Sequence, residues 1–343
     1  MPMEKLVFYG FKHQQIPPSF IIPPEKRPQK LDLPVVYHNT PIIDLKGGAE
    51  GALDRSATIQ QIFKAIEEFG FFQLVNDGIP EELMEEVMEV SKEFFEMPVE
   101  DRLSLYCEDP MQPVRVSSSI VYENEEVHYW RDKLRHLCHP VEEFKHLWPS
   151  KPTKYREVIA TYSVKVRALA LKLLDLICEG LGLQPDYFNG ELSQMQSILI
   201  NHYPPSPDPS LTLGLPKHID PNVITILHQG DLYGFQVLKD GEWIDVKPLP
   251  NTHLVVLGHQ LQIISNDKLK GVEHRVVSTN VPRTTIAMQI HPSMDCVVEP
   301  AKEVTDDVNP AKYRSFTYQE FVDSYLTSVI DTQKTTKPFK ILA

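Results

Sequence analysis

The second half of the chain is a succession of short β-rich segments, and this feature restricts the fold more than any other. After Gly190, runs of Val, Ile, Thr and aromatic residues alternate with turn residues. Strands of this length and spacing are typical of a sandwich, a barrel or a jelly roll. The predicted strands are 196–203, 222–229, 234–239, 243–246, 252–257, 262–266, 274–279 and 283–291.

Helices are predicted mainly in the first half of the chain. Apolar residues recur at intervals of three and four, which is the period of a helix with one buried face. Thr317, followed by Glu320, marks a capping box at the start of a last helix. Short apolar runs at 41–45 and 71–75 predict two more strands, and 108–124 is predicted to be a loop. The predicted helices are 56–69, 80–96, 153–180 and 317–328.

The chain divides into an arm and one compact unit. Seven prolines between residues 13 and 41 predict an extended arm over residues 1–40 that wraps over the body. Residues 41–150 form an N-terminal region, and 151–343 form the β core with its supporting helices. The helical half and the β half are expected to share one core. The predicted fold class is mixed α/β, an all-β core with flanking helices.

The charge and the apolar pattern exclude some partners and compartments. The net charge of −13 argues against nucleic acid and anionic membranes as partners. No run approaches the roughly 18 apolar residues of a membrane span, and Met1–Gly10 lacks the pattern of a secretory signal. The four cysteines lie far apart without a CxxC pair, which disfavours a disulfide framework. We therefore expect a cytoplasmic monomer that acts on a small molecule.

His218-Ile219-Asp220 is the first candidate for chemistry. Residues two apart in a strand point to the same face, so an imidazole and a carboxylate would be aimed at one point. Alone, this triplet is weak, because a buried His and Asp are often no more than a hydrogen-bonded structural pair. A second strand that begins near Val272 could bring His274 to the same point. Two histidines and one carboxylate leave three positions of an octahedral metal open, as in non-haem iron(II) oxygenases.

Arg283-Thr284-Thr285 lies nine residues after His274 and suggests a carboxylate site. Its first and third residues share a strand face, and an arginine beside a hydroxyl is suited to bind a carboxylate. A buried arginine needs an anionic partner, which a dicarboxylate cosubstrate would supply. Tyr203, within Asn201-His202-Tyr203-Pro204-Pro205, adds a phenol. Zinc could use the same three metal ligands, but it gives no reason for the arginine–hydroxyl pair.

In order and spacing, the motifs NxYPP, HxD, HRV and RxT resemble those of the plant 2-oxoglutarate-dependent dioxygenases. They begin at Asn201, His218, His274 and Arg283. The resemblance extends from about Pro41 to the end of the chain. Singly none of these motifs is specific, but together they are.

The resemblance implies a fold, a metal and a cosubstrate. The fold would be a double-stranded β-helix, or jelly roll, with flanking helices. Iron(II) would bind His218, Asp220 and His274, and 2-oxoglutarate would contact Arg283 and Thr285. Tyr203 would lie alongside, and Asn201 would contact the cosubstrate near the iron.

The resemblance also implies a reaction. O2 would be consumed, 2-oxoglutarate would yield succinate and CO2, and ascorbate would serve as reductant. The substrate would undergo hydroxylation, demethylation, desaturation or ring closure. The implied substrate is a small plant metabolite such as an alkaloid or a phenylpropanoid.

The substrate region matches the family less well. In a family member that hydroxylates a tropane alkaloid, an acidic residue before the position of Tyr129 binds the substrate ammonium, and Ser118 stands there in this chain. Tyr325 matches an aromatic substrate contact. Phe235 and His291 are further candidates for the pocket wall, and Tyr129 itself is another. A tropane substrate is therefore not carried over.

A second hypothesis is a non-catalytic protein of the same fold, such as a receptor for a hormone or metabolite. Degenerate metal ligands would favour it. His218, Asp220 and His274 are all intact in this sequence, which favours an enzyme.

Overall fold

The architecture is a twisted pair of β-sheets with helices packed on one side. The computed structural model describes residues 6–7, 15–27, 40–46, 52–119, 122, 125–328 and 331–341. Within these ranges no helix is long and apolar enough to cross a membrane. The strands are β1 Ile42–Asp44, β2 Phe71–Val75, β3 Val114–Ser117, β4 Asp132–His139, β5 Met195–Tyr203, β6 Leu213–His218, β7 Ile224–His228, β8 Phe235–Lys239, β9 Glu242–Asp245, β10 His253–Leu257, β11 His274–Val277, β12 Arg283–His291, β13 Val297–Val298 and β14 Phe316–Thr317.

The α-helices of the described residues fall mostly before β5 and after β12. The longest one ends at Leu181, and the next residue, Gly182, has the left-handed backbone that closes the last turn. Short 3₁₀ turns occur between the longer elements. The helices are α1 Ala52–Phe69, α2 Glu81–Glu96, α3 Val99–Leu103, α4 Val141–Phe144, α5 Tyr155–Leu181, α6 His259–Ile264, α7 Tyr318–Ser328 and α8 Thr332–Thr336.

Two main sheets form the jelly-roll core. The larger sheet has the strand order β1-β2-β10-β7-β12-β5-β4-β3, and the smaller has the order β6-β11-β8-β9. A cluster of buried apolar residues joins the two sheets, with Tyr203 and Leu227 from the larger and Phe235 and Val276 from the smaller. The space between the sheets is therefore the place where inward-facing side chains of both can meet.

The helices cover the outer face of the larger sheet. Residues of α1, α2 and α5 share one buried apolar cluster with strands of that sheet, including Phe94, Tyr162, Ile200 and Ile286. The stripe of α5 that begins at Val158 is buried in this cluster. Because strands from both halves of the chain enter one sheet, the halves share a core. The division at residues 40 and 150 stays a prediction.

Most predicted elements are confirmed, and the last helix has the predicted cap. The Thr317 N–H donates to Glu320 Oε1 at 3.1 Å, and the Glu320 N–H donates to Thr317 Oγ1 at 3.3 Å. Of the predicted arm, residues 15–27 contain two 3₁₀ turns and no α-helix. Phe20 and Ile22 are buried on the body, as a wrapping arm requires. The rest of residues 1–40, apart from residues 6–7 and Thr40, lies outside the described residues.

Two predictions of secondary structure are wrong. The predicted strand 262–266 is part of α6 and the turn after it, because a short buried apolar run looks the same in either state. The predicted loop 108–124 contains β3, which pairs with β4 at the sheet edge. This strand is only four residues long, and two of its residues, Arg115 and Ser117, are polar although buried.

The strand β6 was not among the eight predicted segments. It ends at His218, so Asp220 lies beyond the strand and does not share a strand face with His218. The chain turns here because Pro221 and Asn222 follow, and the turn, instead of the pleat, directs the Asp220 side chain.

A buried histidine predicts how stability depends on pH. His136 Nδ1 donates to the Leu137 carbonyl at 3.1 Å, and Tyr155 Oη lies 2.9 Å from Nε2. Burial lowers the pKa of His136 to about 3, against about 6.5 in an unfolded chain. The unfolded state therefore binds more protons, and stability is lost as the pH falls from about 6.5 towards 3.

We expect His136→Gln to reduce the slope of the unfolding free energy against pH by up to about 1.4 kcal/mol per pH unit. Urea unfolding at a series of pH values between 3 and 7 measures it. The exposed His146 provides the matched control, since His146→Gln should keep the wild-type slope. An unchanged slope in His136→Gln would contradict the assignment.

Candidate metal and cosubstrate site

The register of two strands brings the histidines together. His218, the last residue of β6, is the direct cross-strand partner of His274, the first residue of β11. Asp220 follows two residues after His218 and turns back towards both rings. Its Oδ1 lies 3.3 Å from His218 Nε2 and 3.8 Å from His274 Nε2. All three side chains are buried.

Both imidazole rings are oriented by backbone carbonyls. His218 Nδ1 donates to the Pro216 carbonyl at 2.9 Å, and His274 Nδ1 donates to the Val272 carbonyl at 3.0 Å. With the proton on Nδ1, each Nε2 keeps its lone pair and points to the common centre. Such hydrogen bonds fix the tautomer of metal-binding histidines. Burial also lowers the pKa of His274 to about 4, which keeps that ring neutral at pH 7.

The Asp220 carboxylate is held in place from several directions. Thr225 Oγ1 donates to Asp220 Oδ2 at 2.5 Å, and the His259 N–H donates to the Asp220 carbonyl at 2.8 Å. Gly258 permits this approach, because a Cβ there would lie 1.9 Å from the Asn222 carbonyl oxygen. Burial alone would raise the pKa of Asp220, but the hydrogen bond and charge of His218 and the charge of His274 outweigh it, and the pKa falls below its usual range.

The donor set fits a divalent metal with open positions. One ligand atom from each of His218, Asp220 and His274 lies within 4.8 Å of the other two, and this is the one such cluster among the described residues. Two imidazoles and a carboxylate on one side of an octahedral ion form the facial triad of iron(II) oxygenases. The remaining side of the ion would face the cavity.

Arg283 is a buried cation that lacks a carboxylate partner among the described residues. Its Nε donates to the Leu232 carbonyl at 3.1 Å, and Nη2 donates to the Gln229 carbonyl at 3.4 Å. Nη1 is buried without a hydrogen-bond partner in the described part of the chain. Since an unpaired buried guanidinium is costly, this end of β12 fits the carboxylate of a bound dicarboxylate.

The cosubstrate candidates surround the same cavity. Arg283 pairs with Tyr203 and Thr285 pairs with Asn201 across β12 and β5. The Arg283 guanidinium carbon lies 5.5 Å from the centre of the Tyr203 ring. The cavity has a volume of about 190 Å³. It brings together the predicted residues His218, Asp220, His274, Arg283, Thr285, Tyr203, Asn201, Phe235, Tyr325 and His291.

Two predicted substrate contacts lie elsewhere. Ser118 is buried outside the cavity lining, and its hydroxyl donates to the Asp132 carboxylate. Tyr129 is also outside the lining and packs against a small apolar cluster that includes Ile22 and Leu213. Neither side chain lines the cavity.

The sequence reasoning missed a set of basic residues in the cavity wall. Arg131, Lys133 and Arg135 line the cavity from β4 and the residue before it. Their alternation with Asp132 and Leu134 has the period of a strand, and this was the signal that could have identified them. This alternation did not indicate a cavity by itself, because alternating charged residues usually mark the solvent-exposed face of a strand.

The hydroxyl of Thr225 gives a prediction about metal affinity. Thr225→Val removes the donor to Asp220 while it keeps the shape, so the carboxylate loses an orienting hydrogen bond. We expect iron(II) affinity to fall by about 10–100-fold, as for other residues that orient metal ligands. Equilibrium dialysis against iron(II) under argon measures this. Thr225→Ser, which keeps the hydroxyl, should remain near wild type; equal affinity of the Val and Ser variants would argue against the role.

Arg283 gives a prediction about the cosubstrate. Arg283→Lys keeps the charge but loses the planar fork, so it cannot form two parallel hydrogen bonds to a carboxylate. We expect 2-oxoglutarate to bind about 10–100-fold more weakly, since hydrogen bonds to charged groups contribute roughly 1.5–3 kcal/mol. Calorimetry with the iron(II) protein under argon measures the Kd.

Arg275 is the control for that substitution. Its guanidinium stacks on Trp243 and hydrogen-bonds to Gln236, and it does not line the cavity. Arg275→Lys should leave 2-oxoglutarate binding within about twofold of wild type. If both variants lost affinity equally, Arg283 would have no special relation to the cosubstrate.

Comparisons with known proteins agree with this geometry. Residues 194–292 match the 2OG-Fe(II) oxygenase superfamily, and residues 40–151 match the non-haem dioxygenase in morphine synthesis N-terminal family. The chain is 46% identical over 336 residues to hyoscyamine 6-dioxygenase of Hyoscyamus niger, with 94% of this chain and 95% of the relative covered. It is 39% identical to flavanone 3-dioxygenase 2 of Oryza sativa subsp. japonica, with 96% and 95% covered.

A solved structure supports the same assignment. The crystal structure of JOX2 in complex with 2OG, Fe and JA aligns with a TM-score of 0.86 at 31% identity, with 96% of this chain and 95% of that chain covered. The chain belongs to the 2OG-Fe(II) oxygenase superfamily, as an iron(II)- and 2-oxoglutarate-dependent dioxygenase.

Proposed function

We propose that this dioxygenase oxidises a small plant specialised metabolite, such as an alkaloid or a phenylpropanoid. The observation that carries the proposal is the position of the metal ligands and the buried Arg283 in one cavity. The relatives named for hyoscyamine and flavanone substrates support the class of substrate. The outcome at the substrate would be hydroxylation, demethylation, desaturation or ring closure.

Different residues of the cavity would bind the metal and the cosubstrate. When bound, iron(II) together with 2-oxoglutarate and O2 supplies the oxidising power that removes a hydrogen atom from the substrate, and the products include succinate and CO2. His218, Asp220 and His274 would hold the ion on one side, so that its other side faces the cavity. Arg283 and Thr285 would bind the far carboxylate of 2-oxoglutarate, with Tyr203 beside it.

Burial around the site contributes by excluding water. The ligands and Arg283 are all less than a tenth exposed, so charge interactions are stronger here than at the surface. Asn201 lines the cavity beside Thr285, and its side-chain oxygen accepts a hydrogen bond from Arg131 Nη1 at 2.9 Å. We propose that this bond orients the Asn201 amide towards the cosubstrate.

The substrate would lie between the metal and the last long helix. Tyr325 of α7 and Phe235 of β8 line the cavity, and the Phe235 ring centre lies 5.2 Å from that of His274. His291 also lines it, with Nε2 2.9 Å from Ser197 Oγ and Nδ1 2.8 Å from Tyr318 Oη. These three residues are the proposed substrate contacts. The positions of Ser118 and Tyr129 give no support for a direct contact.

We further propose that the protein acts as a cytoplasmic monomer, with ascorbate as reductant. The net charge of −13 supports a small-molecule substrate over nucleic acid. A purely ligand-binding role, the alternative function, would not need three intact metal ligands. Ligand binding with no requirement for iron, measured by calorimetry, would favour that alternative.

The proposed reaction predicts the loss of turnover when the metal ligands are removed. With iron(II), ascorbate and 2-oxoglutarate, the wild-type protein should form succinate, and a metabolite library should contain compounds that stimulate it. His218→Ala and Asp220→Ala should lower succinate formation by at least about 10³-fold, since each removes a metal ligand. His146→Ala, at an exposed site, should keep wild-type turnover. Unchanged turnover in both ligand variants would defeat the proposal.

A further inference from the structure

One wall of the cavity carries a row of basic side chains. Arg131, Lys133 and Arg135 line the cavity together with Leu137. The spacing of two residues places Lys133 and Arg135 on one face of β4, and Arg131 immediately precedes the strand. The residues between them, including Asp132, are buried on the opposite face. We call Arg131, Lys133 and Arg135 the basic row.

The basic row lacks carboxylate partners within the described ranges. Arg131 donates to the Asn201 side-chain oxygen, and its Nε is buried without a hydrogen-bond partner in the described residues. Arg135 Nη1 donates at 3.2 Å to the carbonyl of Gln112. Over the part of the chain that the structure describes, the Lys133 ammonium makes neither a hydrogen bond nor an ion pair.

The neighbouring charges leave an excess of positive charge. Arg115, on β3 beside this wall, also lines the cavity, and it donates to Ser117 and to backbone carbonyls. The charge of Glu125 acts favourably on Lys133, and Glu125 Oε2 also lies 3.4 Å from His128 Nδ1. Among the described residues that line the cavity, Asp220 is the one carboxylate.

The cosubstrate does not remove this excess. Iron(II) and Arg283 together balance Asp220 and the two carboxylates of 2-oxoglutarate. Over the described residues, the basic row therefore keeps a net positive charge when the site is loaded. Buried cations without an anion are costly, and burial, followed by the charges of Arg131 and Arg115, lowers the pKa of Lys133 well below its ordinary value. An anion bound in the cavity would offset both the cost of the buried positive charges and the lowering of the Lys133 pKa.

The basic row lies apart from the proposed cosubstrate tail. Lys133 pairs with Asn201, which in turn pairs with Thr285. Neighbouring strands are about 4.8 Å apart, so the backbone of Lys133 is roughly 10 Å from that of Thr285. This distance leaves room for a second ligand between the two, with one end at the basic row and the other near the metal.

We propose that the substrate is an organic acid whose carboxylate is bound by Lys133, with Arg131 and Arg135 beside it. This inference rests on the proposed function, since it names the chemistry of the substrate for the same cavity. Apolar side chains also line the cavity near the basic row, among them Leu137, Leu199 and Met294 from the loop after β12. The acid therefore has an apolar body. A cationic amine would meet like charge at this wall.

The test compares acids with their uncharged amides. The protein is loaded with iron(II) and saturating 2-oxoglutarate under argon, and melting temperatures are recorded with benzoate, phenylacetate, cinnamate and 4-coumarate and with the four corresponding primary amides. Ligand-induced shifts give apparent affinities. We expect at least one acid to bind about tenfold or more tightly than its amide, a difference of about 1.4 kcal/mol.

Variants assign the preference to the basic row. Lys133→Met should abolish the tighter binding of the acid than of its amide, and Arg135→Met should weaken it. The second variant keeps the test available if Lys133→Met does not fold. The exposed Lys165 is the control, since Lys165→Met should keep the full preference. The Kd of 2-oxoglutarate should stay within about twofold of wild type in all three variants.

The proposal is overturned if no acid binds more tightly than its amide, or if both basic-row variants keep the preference. It is also overturned if Lys133→Met weakens 2-oxoglutarate as much as the acids, because the row would then serve the cosubstrate. Succinate formation by the wild-type enzyme without added substrate is measured alongside. Its presence keeps the proposed function intact even where the acid preference fails, so the two failures are distinguishable.

Discussion

The pairing of His218 with His274 across β6 and β11 is the interaction on which the site depends. Antiparallel strands place directly opposed residues on the same face with their Cβ atoms about 5 Å apart, so one register delivers both imidazoles to one point. A slip by one residue would turn one ring to the other face. The register shifts after His274 are therefore confined to the part of β11 beyond the metal ligand.

The residues around this pair orient the metal ligands before an ion binds. Carbonyl oxygens of Pro216 and Val272 orient the rings, and Thr225 orients the carboxylate. Each of these three contacts is made by a residue within five positions of its ligand in the chain, whereas the His259 N–H holds the Asp220 carbonyl from a distant segment. The fold also brings β6 and β11 together as paired strands of one sheet, and apolar residues of that sheet pack against the larger sheet.

The cavity also contains buried cations that do not stabilise the folded chain alone. Arg283 and the basic row lie where apolar residues would pack at lower cost. Their presence is explained if anions enter the cavity, one bound by Arg283 and another by Lys133. Charged residues that lower the stability of the folded chain are common at sites whose function requires them.

Much of this account could be predicted from the sequence, because each informative motif is a short run of residues. The capping box at Thr317 is confirmed, and His218, Asp220, His274, Arg283 and Thr285 were predicted from their motifs together with the resemblance to plant dioxygenases. Strand β3 and helix α6 were not, since short buried segments carry too few residues to show a period.

The basic row was missed for a different reason. A run such as 131–135 shows alternation, but whether its charged face meets water or a cavity depends on which strand pairs beside it. That pairing, between β4 and β5, links residues far apart in the chain and is not visible locally.

The central claim is that three side chains hold one ion beside a cosubstrate bound by Arg283. Crystals grown under argon with iron(II) and 2-oxoglutarate, measured at the iron absorption edge, test it most directly. The account predicts a single anomalous peak bonded to His218 Nε2, His274 Nε2 and an Asp220 oxygen, with a 2-oxoglutarate carboxylate on the Arg283 guanidinium. A peak bonded to only one of the two histidines, or 2-oxoglutarate bound away from Arg283, would contradict it.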